Sequence, residues 1–383
     1  MKQGDRLEVR AEGLAESGAG TVEVEGVLVQ VGDLAPGEQA EIEVQSVSRH
    51  HPRAYGRIVE RLGTPSVDRQ EPPCPGYGRC GGCAWQHVRY PVQLEHKRRR
   101  VLEALAGLID ADAIQPVIPA PSETHYRNKA SYVLARGSDG QLIIGGRVPR
   151  SSEVVDTRGC QVVEAVIDEI AIHAGACLER TKIAVDDGQR TPGGVRYLLV
   201  RTTAEGRAAL GVVTRSGIAP EGLRQLVEAL ATHPAVETVS HFINDETSGA
   251  VLSDIPPTAM VGSGRFDERY GPVVASAGVE SFLQIHRGQA SVLYRSLGQR
   301  AAGAKRAVDL YCGLGAIAFH LAAAGIETVG IERSVDAEWA QRAAEQSDLP
   351  VSFLRADAAD AELGQVDLVV VNPPRKGLSR GAR

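Results

Sequence analysis

The sequence has no long apolar run, no export signal, and no repeated or low-complexity segment. No stretch approaches the roughly 18 uninterrupted apolar residues that a membrane-spanning helix requires, so we expect no membrane partner. The start, MKQGDRLEVRAEG, is polar and acidic, which predicts a cytoplasmic protein without a signal peptide. A disulfide framework among the six cysteines is therefore not expected.

The composition is that of an ordinary globular protein. Hydrophobic residues make up 43% of the chain and charged residues 23%. At about 100–200 residues per domain, 383 residues leave room for two or three domains. Composition alone does not indicate a function.

Charge is informative only when it is examined locally, because the net charge of −6 hides a segregation. Residues 1–48 carry ten acidic and three basic side chains. Residues 49–61 then hold four arginines and two histidines against one glutamate, and a second basic block runs from Arg89 to Arg100. Such blocks are typical of surfaces that bind a phosphate backbone, although a solvated strand rim or helix face is the alternative.

The N-terminal third predicts a small β-barrel followed by an irregular loop and a helix. Short alternating strands broken by glycine fill residues 4–62. The loop after them is rich in Pro, Gly and Cys, and residues 91–109 have a helical pattern.

The rest of the chain predicts two further architectures. From about 118 to 270, strands alternate with helices at 162–179 and 220–232, which indicates an α+β domain. From 303 the pattern becomes a regular β-α-β alternation with helices over 316–324 and 335–346. That rhythm predicts a parallel, doubly wound α/β sheet.

A Gly-rich turn, Asp309-Leu-Tyr-Cys-Gly-Leu-Gly315, joins the first of these strands to its helix. Glycines there let the backbone approach a ligand, and the helix N-terminus adds N–H groups. Glu332 ends the next strand, where a carboxylate can accept hydrogen bonds from ribose hydroxyls, and Asp357 follows the third strand. A lone G-x-G would also suit NAD, but the third glycine is missing and the three acids together favour S-adenosylmethionine.

Asn372-Pro373-Pro374-Arg375 follows the fourth strand of this region. In amino-group methyltransferases of nucleic acid, such a motif is followed by an aromatic residue that stacks on a flipped base. Arg375 stands there instead, which weighs against that class.

Three cysteines lie within ten residues, at Cys74, Cys80 and Cys83, and Cys160 is a remote candidate partner. This spacing lacks the two C-x2-C pairs of most structural zinc sites and favours a [4Fe–4S] cluster, with zinc and free thiols as alternatives. Cys177 is expected in the core, and Cys312 lies inside the Gly-rich turn.

Together these motifs make the chain resemble the RNA 5-methyluridine (uracil-C5) methyltransferases of the 23S rRNA type. The resemblance rests on CPGYGRCGGCAWQH, YRNKASYVL, SSEVVDTRGC, SFLQIHRGQASVLY, VDLYCGLGAIAFHLA, GIERS and VNPPRKGL. It implies an N-terminal TRAM (OB-like) barrel at 1–62, an α+β central domain with an iron–sulfur loop at 63–270, and a class I S-adenosylmethionine methyltransferase domain at 271–383. The helix within 91–118 could then pack on the catalytic domain.

The resemblance also implies site residues and partners. Cluster ligands would be Cys74, Cys80, Cys83 and Cys160. Cofactor-binding candidates are Gln284, Asp309, Tyr311, Gly313, Gly315, Glu332, Asp357 and Asn372. Candidate RNA contacts are Arg49, Arg53, Arg57, Lys97, Arg98, Arg127 and Lys129. The expected cofactors are S-adenosyl-L-methionine and a [4Fe–4S] cluster, and the expected state is a monomer bound to 23S rRNA.

The chemistry of this family requires a cysteine thiolate that adds to C6 of uracil and a base that removes the C5 proton. The resemblance puts both after the Pro-Pro-Arg motif, yet only eight residues follow Arg375 and none is Cys, Asp or Glu. We therefore assign no catalytic residue and expect a C-terminally truncated methyltransferase. The alternatives are a non-catalytic RNA-binding iron–sulfur protein and a tRNA uridine C5-methyltransferase.

Overall fold

The computed structural model describes residues 1–149, 151–186, 188, 190–247, 249–361, 364–374, 377–378 and 380–381. The chain divides into two compact units. The first comprises Met1–Ala120 and Gly146–Thr157, and the second comprises Pro121–Gly145 and Arg158–Arg383. Among the described helices, none has the length and apolar character needed to cross a membrane.

A curled six-stranded sheet forms the N-terminal part of the first unit. Its strands are β1 (Arg6–Arg10), β2 (Gly13–Leu14), β3 (Gly20–Val24), β4 (Val27–Val31), β5 (Gln39–Val47) and β6 (Arg53–Leu62), in the order β1-β5-β6-β4-β3-β2. Alternate residues of β5, including Ile42 and Val44, are fully buried, as the period-2 pattern predicts. Gly20 permits a close approach, because a Cβ there would lie 2.4 Å from the Leu34 carbonyl oxygen.

The first unit continues with an irregular segment and one helix. Helix α1 spans Tyr90–Ala104 and begins with a proline in its first turn, where the missing N–H costs nothing. It ends five residues before the predicted end at 109, and Gly107 beyond it adopts a φ of +78° that breaks the helical path. Helix α1 has no buried residue, and its basic residues Lys97, Arg99 and Arg100 are exposed.

The second unit contains a mixed sheet covered by two helices. Six strands run in the order β13-β12-β11-β10-β7-β8. The elements here are β7 (Lys129–Arg136), β8 (Leu142–Arg147), β9 (Val154–Asp156, in the first unit), α2 (Ala165–Thr181), β10 (Val195–Thr202), β11 (Ala208–Thr214), α3 (Pro220–Leu230), β12 (Val236–Ile243) and β13 (Thr258–Val261). Residues on α2 and α3, such as Ile170 and Leu226, pack with Leu210 of the sheet in one apolar core.

The remaining elements form a hairpin and a parallel sheet. They are β14 (Arg265–Tyr270), β15 (Val273–Gly278), α4 (Arg287–Arg300), β16 (Arg306–Leu310), α5 (Ala316–Ala323), β17 (Glu327–Glu332), α6 (Asp336–Glu345), β18 (Val351–Arg355) and β19 (Leu368–Val371). The four parallel strands have the order β18-β17-β16-β19. This doubly wound arrangement confirms the α/β prediction for this region, and it gathers the strands' carboxyl ends at one edge.

Candidate cofactor site

The turn after β16 has a backbone that few sequences can adopt. Tyr311, Gly313 and Gly315 have φ values of +61°, +55° and +82°. At Gly315 a Cβ would lie 2.4 Å from the ring of Phe353, so both backbone conformation and space demand glycine. Helix α5 starts at the next residue, and its free N–H groups therefore open onto the turn.

Asp309 places a buried carboxyl group beneath this turn. Its side chain is 1% exposed, and Oδ2 accepts a hydrogen bond of 3.1 Å from the Ala318 backbone N–H. Within the described residues, Oδ1 has no hydrogen-bond partner. Burial raises the pKa of Asp309 to about 7, against the smaller lowering effect of the Ala318 hydrogen bond. An unsatisfied buried oxygen of this kind is expected where a ligand supplies the missing donor.

Glu332 fixes a second carboxylate at the edge of the turn. One oxygen accepts from the Gly313 N–H at 3.3 Å, and the other accepts from the Ser334 N–H at 2.8 Å. Two backbone donors thus orient the carboxylate at the end of β17 and leave further lone pairs for ligand hydroxyls.

An open cavity lies against Asp309 and the turn, with about 490 Å³ of empty space when the solvent at its opening is included. It is lined by five of the eight predicted cofactor-binding residues, namely Gln284, Asp309, Tyr311, Gly313 and Asn372. The other three predicted residues are Gly315, Glu332 and Asp357, and they do not line the cavity. Asp357 is exposed, and its carboxylate accepts a hydrogen bond of 2.9 Å from the Ala359 N–H. Arg375, the residue after the Pro-Pro pair, lies outside the described residues.

Besides Tyr311, three aromatic side chains of the cavity wall were not identified from the sequence. Tyr270 and Tyr294 line it, as does Phe282, whose side chain is 69% exposed. Its position within Ser-Phe-Leu-Gln, two residues before Gln284, was the available sequence signal.

Cys312 is unsuited to act as a nucleophile. Its thiol is largely buried, and burial raises its pKa well above the usual range, with the charges of Asp309 and Glu332 acting in the same direction. Because the thiolate is the reactive form, this environment keeps Cys312 inert at neutral pH.

The predicted iron–sulfur ligands are not gathered into a metal site. In the described part of the chain, no group of three or more His, Cys, Asp or Glu side chains is arranged to hold a metal ion. The Cys80 sulfur instead accepts a hydrogen bond of 3.4 Å from the Gly82 N–H, within its own loop. The structure therefore does not support the predicted [4Fe–4S] cluster.

The seven candidate RNA contacts fall into three groups. Arg49, Arg53 and Lys97 are exposed, and Lys97 Nζ lies 5.8 Å from the centre of the Trp85 ring. Others are engaged within their own unit. Arg57 pairs with Glu43 at 2.9 Å, and Arg98 donates to the Ile114 carbonyl at 3.2 and 3.1 Å.

Lys129 and Arg127, the two candidates of the second unit, are half-buried. Lys129 Nζ donates to the Val279 carbonyl at 2.8 Å, and burial lowers the pKa of this lysine to about 8. A lysine held in this way is better placed to support the backbone than to contact a phosphate.

Comparison with known proteins relates this site to methyl transfer. Residues 271–380 match the family model described as the methyltransferase small domain. Over 98% of its length, the chain is 28% identical to an uncharacterised RNA methyltransferase of Synechocystis sp., of which it covers 82%. It is 29% identical to an uncharacterised RNA methyltransferase of Gloeobacter violaceus, with 98% of this chain and 84% of the relative covered.

A solved structure extends the similarity to the fold. The tRNA (uracil-54, C5)-methyltransferase of Pyrococcus abyssi, in complex with S-adenosyl-L-homocysteine, superposes with a TM-score of 0.76. The alignment is 25% identical and covers 98% of this chain and 85% of that structure. Together, the fold, the cavity and these similarities define a class I, S-adenosylmethionine-dependent RNA methyltransferase.

Proposed function

We propose that this protein methylates C5 of a uridine in RNA, with S-adenosylmethionine as methyl donor and 23S rRNA as substrate. The observation that carries the proposal is the similarity, over nearly the whole chain, to the Pyrococcus abyssi structure, whose name specifies uracil C5 and which holds S-adenosyl-L-homocysteine. The cavity lined by Gln284, Asp309, Tyr311 and Asn372 lies where open α/β sheets bind ligands, at the carboxyl ends of the strands.

The polar groups at this cavity and at the neighbouring end of β17 fit the cofactor. Asp309 offers an unpartnered carboxylate oxygen, and Glu332 offers a carboxylate already oriented by two N–H groups. We assign Glu332 to accept hydrogen bonds from the ribose hydroxyls of the cofactor, and Asp309 to bind the cofactor's polar groups nearest the turn. When bound, S-adenosylmethionine supplies the methyl group.

The protein's contribution to the transfer is orientation. Tyr311 and Gly313 line the cavity and have a left-handed backbone conformation. Gln284 and Asn372, which have amide side chains, line it as well. Amides donate and accept at the same time, so they can align a base edge and the cofactor without carrying charge. We assign no nucleophile or base among residues 1–383, and Cys312 is excluded by its buried thiol.

RNA binding would use the first unit. Arg49 is exposed in the connection between β5 and β6, Arg53 is exposed at the start of β6, and Lys97 is exposed on α1, which has no buried residue. Cations of this kind bind phosphates without reading sequence, so they would set affinity and leave target choice to the site.

The gene itself provides the direct test. The gene is deleted, and purified 23S rRNA and tRNA are digested to nucleosides and analysed by mass spectrometry. We expect 5-methyluridine to be lost from 23S rRNA. Returning the gene to its own locus should restore it. Unchanged 5-methyluridine in both RNAs would refute the proposal.

The same experiment separates two other candidates. Loss of 5-methyluridine from tRNA alone would favour the tRNA enzyme, which the name of the Pyrococcus abyssi structure supports. A protein that crosslinks to RNA in the cell but whose deletion leaves all methylated nucleosides unchanged would be the non-catalytic RNA-binding protein.

A further inference from the structure

Arg287 is the first residue of α4 and lies three positions after Gln284. Its guanidinium contacts two other elements of the second unit directly. Nη1 donates to Glu164 Oε1 at 2.6 Å, just before α2, and Nη2 donates to the Thr202 carbonyl at 2.7 Å, at the end of β10. Nε also lies 3.5 Å from Glu268 Oε1 on β14. One side chain, 25% exposed, therefore joins the start of α4 to three separate segments.

The partners of Arg287 are themselves fixed. Glu164 Oε2 accepts from the Thr202 hydroxyl at 2.5 Å, so the carboxylate is engaged through both oxygens. The Glu164 N–H donates to the Arg127 carbonyl at 3.0 Å, at the approach to β7. An arginine whose two Nη groups donate to two different residues of such a closed network has little freedom to move.

The backbone at Gln284 is held by hydrogen bonds from Asn128. Asn128 Nδ2 donates to the Gln284 carbonyl at 3.2 Å, and the Asn128 N–H donates to the Ile285 carbonyl at 2.9 Å. The Asn128 carbonyl in turn accepts from the Thr202 N–H at 3.0 Å. Thr202 therefore forms hydrogen bonds with both Asn128 and Arg287. Asn128 holds the backbone of residues 284 and 285, and Arg287 holds the start of α4.

Gln284 lies in this hydrogen-bonded segment and faces two cavities. It lines the cofactor cavity and also a second, neighbouring open cavity that Asn128 and Arg287 line as well. A glutamine that lines two cavities is incompletely packed, so packing alone does not fix its position. The hydrogen bonds to the flanking backbone must do so.

We propose that Arg287 is a positioning residue that holds Gln284 at the cofactor cavity, acting through Glu164 and the Thr202 carbonyl. The inference rests on the proposed cofactor role of Gln284. It adds that the α+β sheet, through the ends of β7 and β10, sets the geometry of the methyltransferase cavity within the same unit.

Binding of S-adenosyl-L-homocysteine to the full chain, measured by titration calorimetry, tests this assignment. We expect Arg287→Gln to raise the Kd about tenfold, the lower end of what orienting residues behind a binding site contribute. Gln284→Ala should also raise it. The double variant should bind no more weakly than Gln284→Ala alone, because Arg287 acts only through Gln284.

The controls separate positioning from folding. Arg136→Gln removes a guanidinium that pairs with Glu179 at 2.9 Å in the same unit, and it should leave the Kd unchanged. Arg287→Lys keeps the charge but cannot contact Glu164 and Thr202 together, so it should bind with an intermediate Kd. If Arg287→Gln does not fold, Glu164→Gln is the second variant and should weaken binding in the same non-additive way.

The outcomes are distinct. An Arg287→Gln protein that melts at a lower temperature yet binds as the wild type does would overturn the inference and leave the proposed function intact. Effects of Arg287→Gln and Gln284→Ala that add in full would also overturn it. Failure of the wild-type protein to bind S-adenosyl-L-homocysteine would refute the cofactor assignment and the inference with it.

Discussion

Two Gly-rich loops of this chain differ in how fully their backbone and side chains are arranged to bind a ligand. The turn Asp309–Gly315 has its conformation set by left-handed residues, by Phe353 and by the Glu332 carboxylate. The loop that carries Cys74, Cys80 and Cys83 contains equally distinctive residues, yet within the described part of the chain its thiols belong to no group of three or more potential metal ligands. The comparison teaches that backbone constraints and neighbouring side chains can build a site in advance, whereas sites made of thiolates often form only when the metal binds.

The strongest test of the prebuilt turn is Gly315→Ala. Its Cβ would meet Phe353 at 2.4 Å and its φ is +82°, so strain and overpacking act together. We expect a loss of about 2–5 kcal/mol in the free energy of unfolding, together with loss of S-adenosyl-L-homocysteine binding, measured by denaturant titration and calorimetry.

Gly325→Ala is the matched control for that substitution. Gly325 has a φ of +85° but no atom within 4 Å of an added Cβ. It should therefore lose only the strain component of about 1–2 kcal/mol. Equal losses at the two positions would show that Phe353 does not constrain the turn.

A second prediction concerns how the loop that carries the cysteines is anchored to the curled sheet. Burial alone would raise the pKa of Glu38, but hydrogen bonds from Arg69 and from the Ala35 N–H outweigh it and lower the pKa to about 2. Because the folded-state pKa is lowered, this stabilisation is present above pH 4.5 and disappears as the pH falls toward 2.

At about 1.4 kcal/mol per pKa unit, Glu38 contributes up to about 3 kcal/mol over that range. Unfolding titrations of the wild type from pH 6 to 2 should show this loss, and Glu38→Gln should flatten the profile while lowering stability at neutral pH. A wild-type profile as flat as that of the variant would contradict the prediction.

A third test addresses the preorganised carboxylate of the turn. Glu332→Gln keeps the shape but removes the charge that accepts from Gly313 and Ser334. We expect the affinity for S-adenosyl-L-homocysteine to fall about 10–100-fold, as charged hydrogen bonds contribute roughly 1.5–3 kcal/mol. Glu327→Gln, which breaks an exposed pair with Arg306, should bind as the wild type does. The assignment to ribose fails if the two variants behave alike.

The smallest expected effect is at the thiols. In the metal-free protein, Cys80→Ser should change the free energy of unfolding by less than about 0.5 kcal/mol, since the sulfur accepts only a weak local hydrogen bond. Anaerobic incubation of the protein with iron and sulfide tests whether the cysteines bind a cluster. A visible absorption band that forms in the wild type and is lost in Cys80→Ser would restore the cluster prediction.

The sequence predicted local structure well where periodicity and turn chemistry agree. The helices expected at 316–324 and 335–346 match α5 (Ala316–Ala323) and α6 (Asp336–Glu345) to within one residue at each end. The helix expected at 91–109 ends at Ala104 instead, because apolar spacing continues past the point where Gly107 turns the chain.

The order of strands and helices, the Gly-rich turn and its flanking acids therefore follow from the amino-acid sequence alone. These depend on residues close together in the chain. Only the tertiary structure decided that Phe282 stands exposed at the cavity, that Arg287 joins Glu164 to Thr202, and that Arg57 and Arg98 are engaged within the first unit. Those contacts join residues 14 to 123 positions apart, and a one-dimensional pattern carries no signal for which distant partners will meet.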